Sequence, residues 1–171
     1  MKIGEITVYL GLGSNVGDRM GQLQFAVDNL KGDGGQKVCR CSRVYETTPW
    51  GGVVQALYLN AVVEIETVSS PEELLKIVKQ IEIEAGRGTR EQRWVERELD
   101  IDLLIFGEVT LHSTELILPH QFLLNRRFVL TPLSEIAPDL NIPGTNITVK
   151  SALDKCDDKE RVKLYQKALR I

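Results

Sequence analysis

The sequence is poor in the residues that build zinc and redox centres. Its 171 residues include only three cysteines and two histidines. No C-x-x-C pair is present to bind zinc, and Cys39 and Cys41 stand two apart in a predicted strand, which is poor geometry for a disulfide. We therefore expect thiols that stay reduced, as in a cytoplasmic protein.

Long apolar runs and an excess of positive charge are also missing. No stretch approaches membrane-spanning length, and residues 1–5 carry no signal-peptide pattern. The formal net charge is −3, so no general basic field favours nucleic acid. We expect a cytoplasmic monomer that has neither a membrane nor nucleic acid as its partner.

The remaining composition is that of an ordinary globular protein, with 43% hydrophobic and 26% charged residues. A chain of this length can bury a sizeable core, so we expect one domain over residues 1–171. The motifs that carry chemistry fall within residues 6–140, and residues 146–171 form a charged tail without such a motif.

The most informative pattern is Asp100-Ile101-Asp102 at the head of an apolar run that predicts a strand. Side chains alternate between the faces of a strand, so both carboxylates point the same way, with Cβ atoms about 7 Å apart. Adjacent carboxylates repel each other and resist desolvation, and a cation between them removes both problems. Magnesium is usually held by carboxylates plus substrate phosphates, so the pattern favours an Mg–nucleotide site. Two acids on an edge strand facing water would give the same spacing.

An arginine-rich segment precedes the acid pair and strengthens this interpretation. Arginine forks match phosphate geometry, and flanking Gly86 and Gly88 would let the segment swing like a lid. A tryptophan within it would find a partner in a nucleotide base or in the closed lid. A solvated charged loop is the alternative. The segment contains Arg87, Arg90, Arg93, Trp94 and Arg97.

Hydrophobic periodicity predicts the order β-α-β-β-α-β up to residue 107. The second helix has a clear start, with an N-cap Ser70, Pro71 at the first position and Glu73 closing a capping box. The order predicts an α+β, ferredoxin-like fold, in which an antiparallel sheet carries both helices on one face and C-terminal elements are added. The expected strands are residues 6–12, 38–45, 58–66 and the acid-bearing segment, and the C-terminal additions are a strand at 128–130, a helical turn at 133–137 and a helix-prone tail at 151–171.

Smaller signals have two interpretations each. Gly11 and Gly13 stand where the first expected strand ends, and there we favour a tight turn over ligand contact. Tyr58 and Asn60 share one strand face and could stack on and read a flat heterocycle, although a half-exposed sheet would look the same. His120 precedes an arginine pair, so phosphate contact and a structural role are equally expected.

Together these residues resemble a known family over residues 8–140, the 6-hydroxymethyl-7,8-dihydropterin pyrophosphokinases of folate synthesis. The most specific match is Arg97-x-Leu99-Asp100-x-Asp102 with a downstream Pro119-His120. The other matching motifs are Gly13-Ser14-Asn15, Tyr45-Glu46-Thr47-x-Pro49, Tyr58-Leu59-Asn60-Ala61, Glu82, Gly86-Arg87, Arg93-Trp94, Asn125-Arg126-x-Phe128 and Pro132-Leu133-x-Glu135-Ile136-Ala137-Pro138.

The resemblance implies a ferredoxin-like core and transfer of the β,γ-pyrophosphoryl group of ATP to the pterin hydroxymethyl group, which releases AMP. It implies that Asp100 and Asp102 hold two Mg2+ ions and that Arg87 and Arg97 join them as catalytic residues. The implied pterin-binding residues are Thr47, Pro49, Trp50, Tyr58, Asn60 and Phe128. The implied ATP-binding residues are Glu82, Arg87, Arg90, Trp94, Arg97, Leu103, His120 and Arg126, with Arg90 expected to replace a lid arginine that the family often has where this chain has Thr89.

Two other functions fit parts of the pattern. A ferredoxin-like module that binds RNA or a small molecule would share the fold but has no need of an acid pair facing an arginine segment. A different Mg-dependent nucleotide transferase could use the same acids. Product identity separates the latter, because pyrophosphate release means nucleotidyl transfer and ADP means simple kinase action.

Overall fold

The computed structural model describes residues 4–31, 35–52, 54–86 and 98–171. Its strands are β1 (Ile6–Ser14), β2 (Gln36–Cys41), β3 (Val44–Thr47), β4 (Tyr58–Thr67), β5 (Asp100–Phe106), β6 (Leu111–His112), β7 (Ile117–Leu118) and β8 (Val162–Gln166). Six of them form an antiparallel sheet in the order β5-β1-β4-β3-β8, with β2 beside β3 on the same edge of β4. A separate hairpin pairs β6 with β7.

Helices cover both faces of this sheet. On one face, α1 and α2 enclose a core with Val8, Leu10 and Leu12 of β1, and on the other, α3 and α4 pack on Tyr9 and its neighbours. This alternation along β1 follows from the two-residue period of a strand. The ferredoxin-like β-α-β-β-α-β core with its two helices on one face is confirmed, and the C-terminal additions cover the other. The helices are α1 (Arg19–Leu30), α2 (Pro71–Glu84), α3 (Arg127–Ile136) and α4 (Val149–Lys155), with a 3-10 helix at Leu123–Asn125.

The expected start of α2 is confirmed in detail. Glu73 N–H donates to Ser70 Oγ at 3.2 Å, and Ser70 N–H donates to Glu73 Oε2 at 2.8 Å, which completes the capping box. At the other end Gly86 has a φ of +105°, a conformation that favours glycine after a helix. No helix among the described residues is long and apolar enough to cross a membrane.

The single strand predicted at residues 38–45 is wrong, because β2 and β3 are separated at Ser42. This buried serine forms two hydrogen bonds with Val62. Ser42 N–H donates to Val62 O at 2.9 Å, but Val62 N–H donates to the side-chain Oγ of Ser42, also at 2.9 Å, rather than to a backbone carbonyl. Both short strands still pair with β4. A strand interruption of this kind leaves no mark on the hydrophobic pattern.

The elements predicted beyond residue 126 also need correction. Residues 128–130 belong to α3 rather than to a strand, and the helix-prone tail forms only the short α4 before turning into β8. A run of three apolar residues is too short to distinguish a strand from a buried helix. The 3.6-residue period of the apolar positions over the whole segment is that of a helix. The buried residues of α3 recur at helical spacing: Val129, Leu130, Leu133 and Ile136.

Candidate functional site

A cavity of about 630 Å³ opens on the α3 face of the sheet, beside the N-terminus of that helix. Gly11 and Gly13 of β1 line it, opposite Asp102 and Asp100 of β5. A Cβ atom at Gly13 would stand 3.0 Å from Oδ1 of Asn60, so the glycine leaves room for that amide. The tight-turn interpretation of these two glycines is therefore wrong, since they lie inside a strand.

Asp100 and Asp102 lie on the same face of β5, as strand alternation predicts. Both line this cavity and also a second one of about 270 Å³, so they stand where the two meet. Ile101 between them is buried in the core on the opposite face, and its N–H donates to Oε1 of Glu82 at 2.8 Å. Glu82 is only 3% exposed. A buried carboxylate of α2 thus fixes the start of β5 and, with it, the direction of both acids.

The two carboxylates form an incomplete ligand set made of oxygen alone. Within the described ranges of the chain, no group of three or more His, Cys, Asp or Glu side chains could hold a metal ion. A hard ion such as Mg2+ fits this arrangement, because it keeps several waters and takes its remaining ligands from substrate oxygens. The residues present therefore suit an ion that arrives with a phosphate-bearing ligand.

Arg126 stands beside the acids inside a cage of aromatic rings. Its Nη1 lies 3.7 Å from Asp102 Oδ2, and its guanidinium carbon lies 4.9 Å from the ring centre of Trp50, 5.0 Å from that of Phe122 and 5.7 Å from that of Phe128. Burial lowers the pKa of Arg126, while the neighbouring carboxylates act in the opposite direction. Its Nε is buried and has no hydrogen-bond acceptor in the part of the chain that the structure describes. The three rings and Asp102 thus surround the guanidinium, and its Nη donors are the ones that an anion in the cavity could contact.

His120 approaches the same carboxylate oxygen of Asp102 as Arg126 does, and it is neutral at pH 7. Burial and the charge of Arg126 lower its pKa to about 4, although Asp100 acts in the opposite direction. Phe122 N–H donates to Nδ1 at 3.2 Å, so the ring proton is on Nε2, which lies 4.0 Å from Asp102 Oδ2. That distance is too long for a hydrogen bond, and the lowered pKa excludes an ion pair at neutral pH. His120 therefore presents a neutral N–H donor to the second cavity.

Replacing His120 by asparagine is expected to flatten the dependence of stability on pH. The folded pKa is depressed, so the neutral ring contributes stability that is fully present above the unfolded value near 6.5 and is lost as the pH falls towards about 4. The full contribution corresponds to about 3 kcal/mol. Asparagine still accepts from the N–H two residues on, as in an Asx turn, but does not titrate.

The measurement is urea unfolding of both proteins without Mg2+ at several pH values between 7 and 4. Asp100, Asp102 and Arg126 face the ring in both proteins, so the difference between the two curves isolates the histidine. As the pH falls, the free energy of unfolding of the wild type is expected to decrease more than that of the variant. Parallel pH profiles would show that the ring does not titrate as its burial implies.

Polar and flat side chains form the remaining walls of the larger cavity. Asn60 Nδ2 donates to Thr47 Oγ1 at 2.7 Å, and both residues are buried. Because that bond orients the amide of Asn60, its oxygen is the atom adjoining Gly13 at the cavity floor. The sequence-predicted residues that line this cavity are Thr47, Pro49, Trp50, Tyr58, Asn60, Asp100, Asp102, Arg126 and Phe128.

Three other predicted residues line the second cavity, and those of the arginine-rich segment lie outside the described residues. Glu82, Leu103 and His120 line it. Leu103 is only 3% exposed and belongs mainly to the core. The arginine-rich segment lies outside the described residues, and with it the predictions for Arg87, Arg90, Trp94 and Arg97.

Sequence reasoning missed several residues that line the larger cavity, among them Thr48, Gln121 and Phe122. Phe122 and Gln121 lie in the larger cavity between His120 and Arg126. The signal available in the sequence was local: an aromatic residue stands between His120 and Arg126, within a segment already rich in candidate ligands. Trp50 was predicted as a pterin contact, but its position 5.6 Å from Phe122, ring centre to ring centre, could not be anticipated.

Comparison with known proteins gives consistent matches. Residues 9–138 match the family model described as 7,8-dihydro-6-hydroxymethylpterin-pyrophosphokinase (HPPK). The 2-amino-4-hydroxy-6-hydroxymethyldihydropteridine pyrophosphokinase of Methylorubrum extorquens is 46% identical over 149 residues, which is 87% of this chain and 92% of that protein. The Bacillus subtilis protein of the same name is 44% identical over 138 residues, which is 81% of this chain and 82% of that protein.

Solved structures show the same fold at lower sequence identity. Plasmodium falciparum HPPK-DHPS wild type matches with a TM-score of 0.69 and 15% identity over 88% of this chain, and its structure with Pteroate matches with a TM-score of 0.72 and 16% identity. The chain spans 44% of the length of each of those proteins, so the likeness concerns the fold of one part of them. Given the family match over residues 9–138 and relatives that are 46% and 44% identical, the chain belongs to the 7,8-dihydro-6-hydroxymethylpterin-pyrophosphokinase family.

Proposed function

We propose that the protein transfers the β,γ-pyrophosphoryl group of ATP to 6-hydroxymethyl-7,8-dihydropterin, giving the pterin pyrophosphate and AMP in folate biosynthesis. Membership of the family supports the reaction. The observation that carries it is the position of Asp100 and Asp102 between two cavities, one lined by the rings of Tyr58 and Phe128 and the other by a mixed set of polar, charged and apolar side chains that includes the donors Lys79 and His120. A metal-bound polyphosphate in one cavity would thereby meet a hydroxyl group in the other.

In the proposed reaction the pterin hydroxyl oxygen forms a bond to the β-phosphorus of ATP. The bond from that phosphorus to the oxygen shared with the α-phosphate breaks, AMP leaves with that oxygen, and the hydroxyl proton is released. Such a transfer depends on positioning and charge neutralisation more than on covalent help from the protein. When bound to Asp100 and Asp102, two Mg2+ ions would neutralise phosphate charge and lower the pKa of the hydroxyl group.

The larger cavity is the proposed acceptor site. Tyr58 and Phe128 offer rings on two of its sides, and Asn60, oriented by Thr47, offers an amide that can read the edge of a flat heterocycle. Pro49 and Trp50 close the loop side. Fixing these groups before the ligand arrives reduces the entropy lost on binding.

The second cavity is the proposed ATP site. Glu82 and the neutral Nε2–H donor of His120 lie along it, and Arg126 reaches the junction from the larger cavity. Leu103 would lend it an apolar surface. Arg87, Arg90, Trp94 and Arg97 remain predicted ATP contacts from the segment before β5, with Arg87 and Arg97 nearest the transferred group.

Analysis of the nucleotide product tests the reaction directly. The purified chain is incubated with ATP, Mg2+ and 6-hydroxymethyl-7,8-dihydropterin, and the products are separated chromatographically. We expect AMP to form in step with the pterin pyrophosphate, and only when both substrates are present. ADP or free pyrophosphate as the product would contradict the proposed transfer.

The expectations about the setting of this enzyme stay predictions. These are a single domain over residues 1–171, a monomeric state and a cytoplasmic location. The three cysteines have free thiols in the structure.

A further inference from the structure

The C-terminal tail, which carries none of the family motifs quoted above, contacts both walls of the proposed acceptor site. We define residues 156–166 as the C-terminal brace. Its strand β8 lies along β3 in antiparallel register, with Val162 opposite Thr47 and Leu164 opposite Tyr45. The edge of β3 that faces away from β4 is therefore covered by the brace, and this strand carries the hydroxyl group that orients Asn60.

The first contact of the brace holds the loop that follows β3. The hydroxyl group of Thr48 donates to the carboxylate of Glu160 and accepts from Arg161 N–H at 3.1 Å, while Thr48 N–H donates to Arg161 O at 3.2 Å. Thr48 lines the larger cavity and immediately precedes Pro49 and Trp50. The direction in which this loop leaves the sheet is thus set by two adjacent residues of the brace.

The second contact holds the start of α3 on the opposite wall. Arg127 N–H donates to Asp158 Oδ2, its Nε donates to Asp158 O, and its Nη2 donates to Cys156 O, each at 2.9 Å. Arg127 stands between Arg126 and Phe128, which both line the cavity. Hydrogen bonds that involve an ionised group are about twice as strong as neutral ones, so this anchor is firm.

One carboxylate joins the two contacts. Asp158 Oδ1 accepts from Glu160 N–H at 2.9 Å, so the same side chain holds α3 through one oxygen and the Thr48-binding residue through the other. The spacing between the loop wall and the helix wall is therefore fixed by residues 158–160 rather than by the sheet alone. A pocket for a flat ring needs that spacing to be set before binding.

We propose that the C-terminal brace positions the two walls of the acceptor site, with Glu160 and Asp158 as positioning residues that act through Thr48 and Arg127. The proposal rests on the proposed function, because it assumes that the larger cavity takes the pterin. It predicts a specific consequence of loosening the brace: binding of the acceptor weakens, while binding of ATP in the other cavity is little changed.

The experiment compares Glu160→Ala, Glu160→Gln, Thr48→Val and the double variant Glu160→Ala/Thr48→Val. Glu160→Ala is expected to raise the KM for the pterin about tenfold, which is the order of one lost hydrogen bond to a charged group. Glu160→Gln keeps an acceptor oxygen and is expected to restore most of the affinity. Both single changes remove the hydrogen bond between Thr48 and Glu160, and Thr48→Val also removes the one from Arg161 N–H. The double variant is therefore expected to be little worse than Thr48→Val alone.

Asp157→Ala is the matched control, because Asp157 is an exposed acid of the same segment and its loss removes the same charge. Its KM values are expected to stay at those of the wild type. An unchanged pterin KM in Glu160→Ala would overturn the proposal. So would equal rises in the pterin and ATP KM values, since these indicate general loosening of the fold.

Amide hydrogen exchange provides a readout that does not depend on activity. In Glu160→Ala the peptides covering residues 46–52 and 126–130 are expected to exchange faster than in the wild type, and in Asp157→Ala they are not. If the wild type forms no AMP, the proposed function fails while this exchange result still tests the brace. Unchanged exchange in Glu160→Ala would show that the walls hold their positions without it.

Discussion

Replacing Asp102 by alanine is expected to lower the turnover number by a few hundredfold, about 10²–10³, and to leave the fold intact. The side chain is 35% exposed at the junction of the two cavities and belongs to neither core cluster, so its loss creates no buried void. The variant loses one of the two carboxylates proposed to hold Mg2+ where charge develops on the transferred group. Removing one such electrostatic contributor commonly costs about 3–4 kcal/mol of barrier.

The measurement is AMP formation at saturating ATP, pterin and Mg2+, with circular dichroism melting to monitor the fold. Asp154→Ala is a suitable control, because Asp154 is an exposed acid on α4 and its loss removes the same charge. The control is expected to turn over at the rate of the wild type. Turnover of Asp102→Ala at the wild-type rate under saturating Mg2+ would rule out Asp102 as a metal ligand.

The acid pair could be predicted from the sequence because its geometry is local. Residues 100 and 102 share a strand face in any β-strand, and the buried Ile101 between them fixes which face that is. The same reasoning placed Tyr58 and Asn60 together on β4. The capping box at Ser70 is likewise a matter of four consecutive residues, and it was predicted to the residue.

Features that depend on distant partners could not be predicted in this way. The ring cage of Arg126 is assembled from Trp50, Phe122 and Phe128, which come from three segments of the chain. The pairing of β8 with β3 joins residues more than a hundred positions apart, and the sequence of β8 reads as a charged, helix-prone tail. Tertiary pairing overrides such weak local preference.

Arg126 lies beside Asp102, where the two cavities meet. Its positive charge is expected to weaken the binding of Mg2+ alone and to strengthen the binding of Mg–ATP. At 3.7 Å from Asp102 it competes with a cation for the same carboxylate, so it disfavours Mg2+ in the absence of nucleotide. For an Mg–ATP complex bound as proposed, we expect the balance to reverse, because the guanidinium donors can bind phosphate oxygens. Arg126 is then expected to favour the metal with its nucleotide over the metal alone.

Arg126→Met is therefore expected to bind Mg2+ alone more tightly and to lose catalytic efficiency. Removing a unit charge this close to the acid pair should lower the Mg2+ dissociation constant about fivefold, the effect of about 1 kcal/mol of Coulomb repulsion. The kcat/KM for ATP should fall about a hundredfold, because a charge-assisted phosphate contact is lost. Arg126→Lys separates charge from shape: it keeps the repulsion, so Mg2+ affinity should stay at the wild-type value, while the lost fork and ring stacking still lower kcat/KM. Calorimetric titration with MgCl2 and steady-state kinetics measure the two quantities, and a weaker Mg2+ affinity in Arg126→Met would contradict this account of the site.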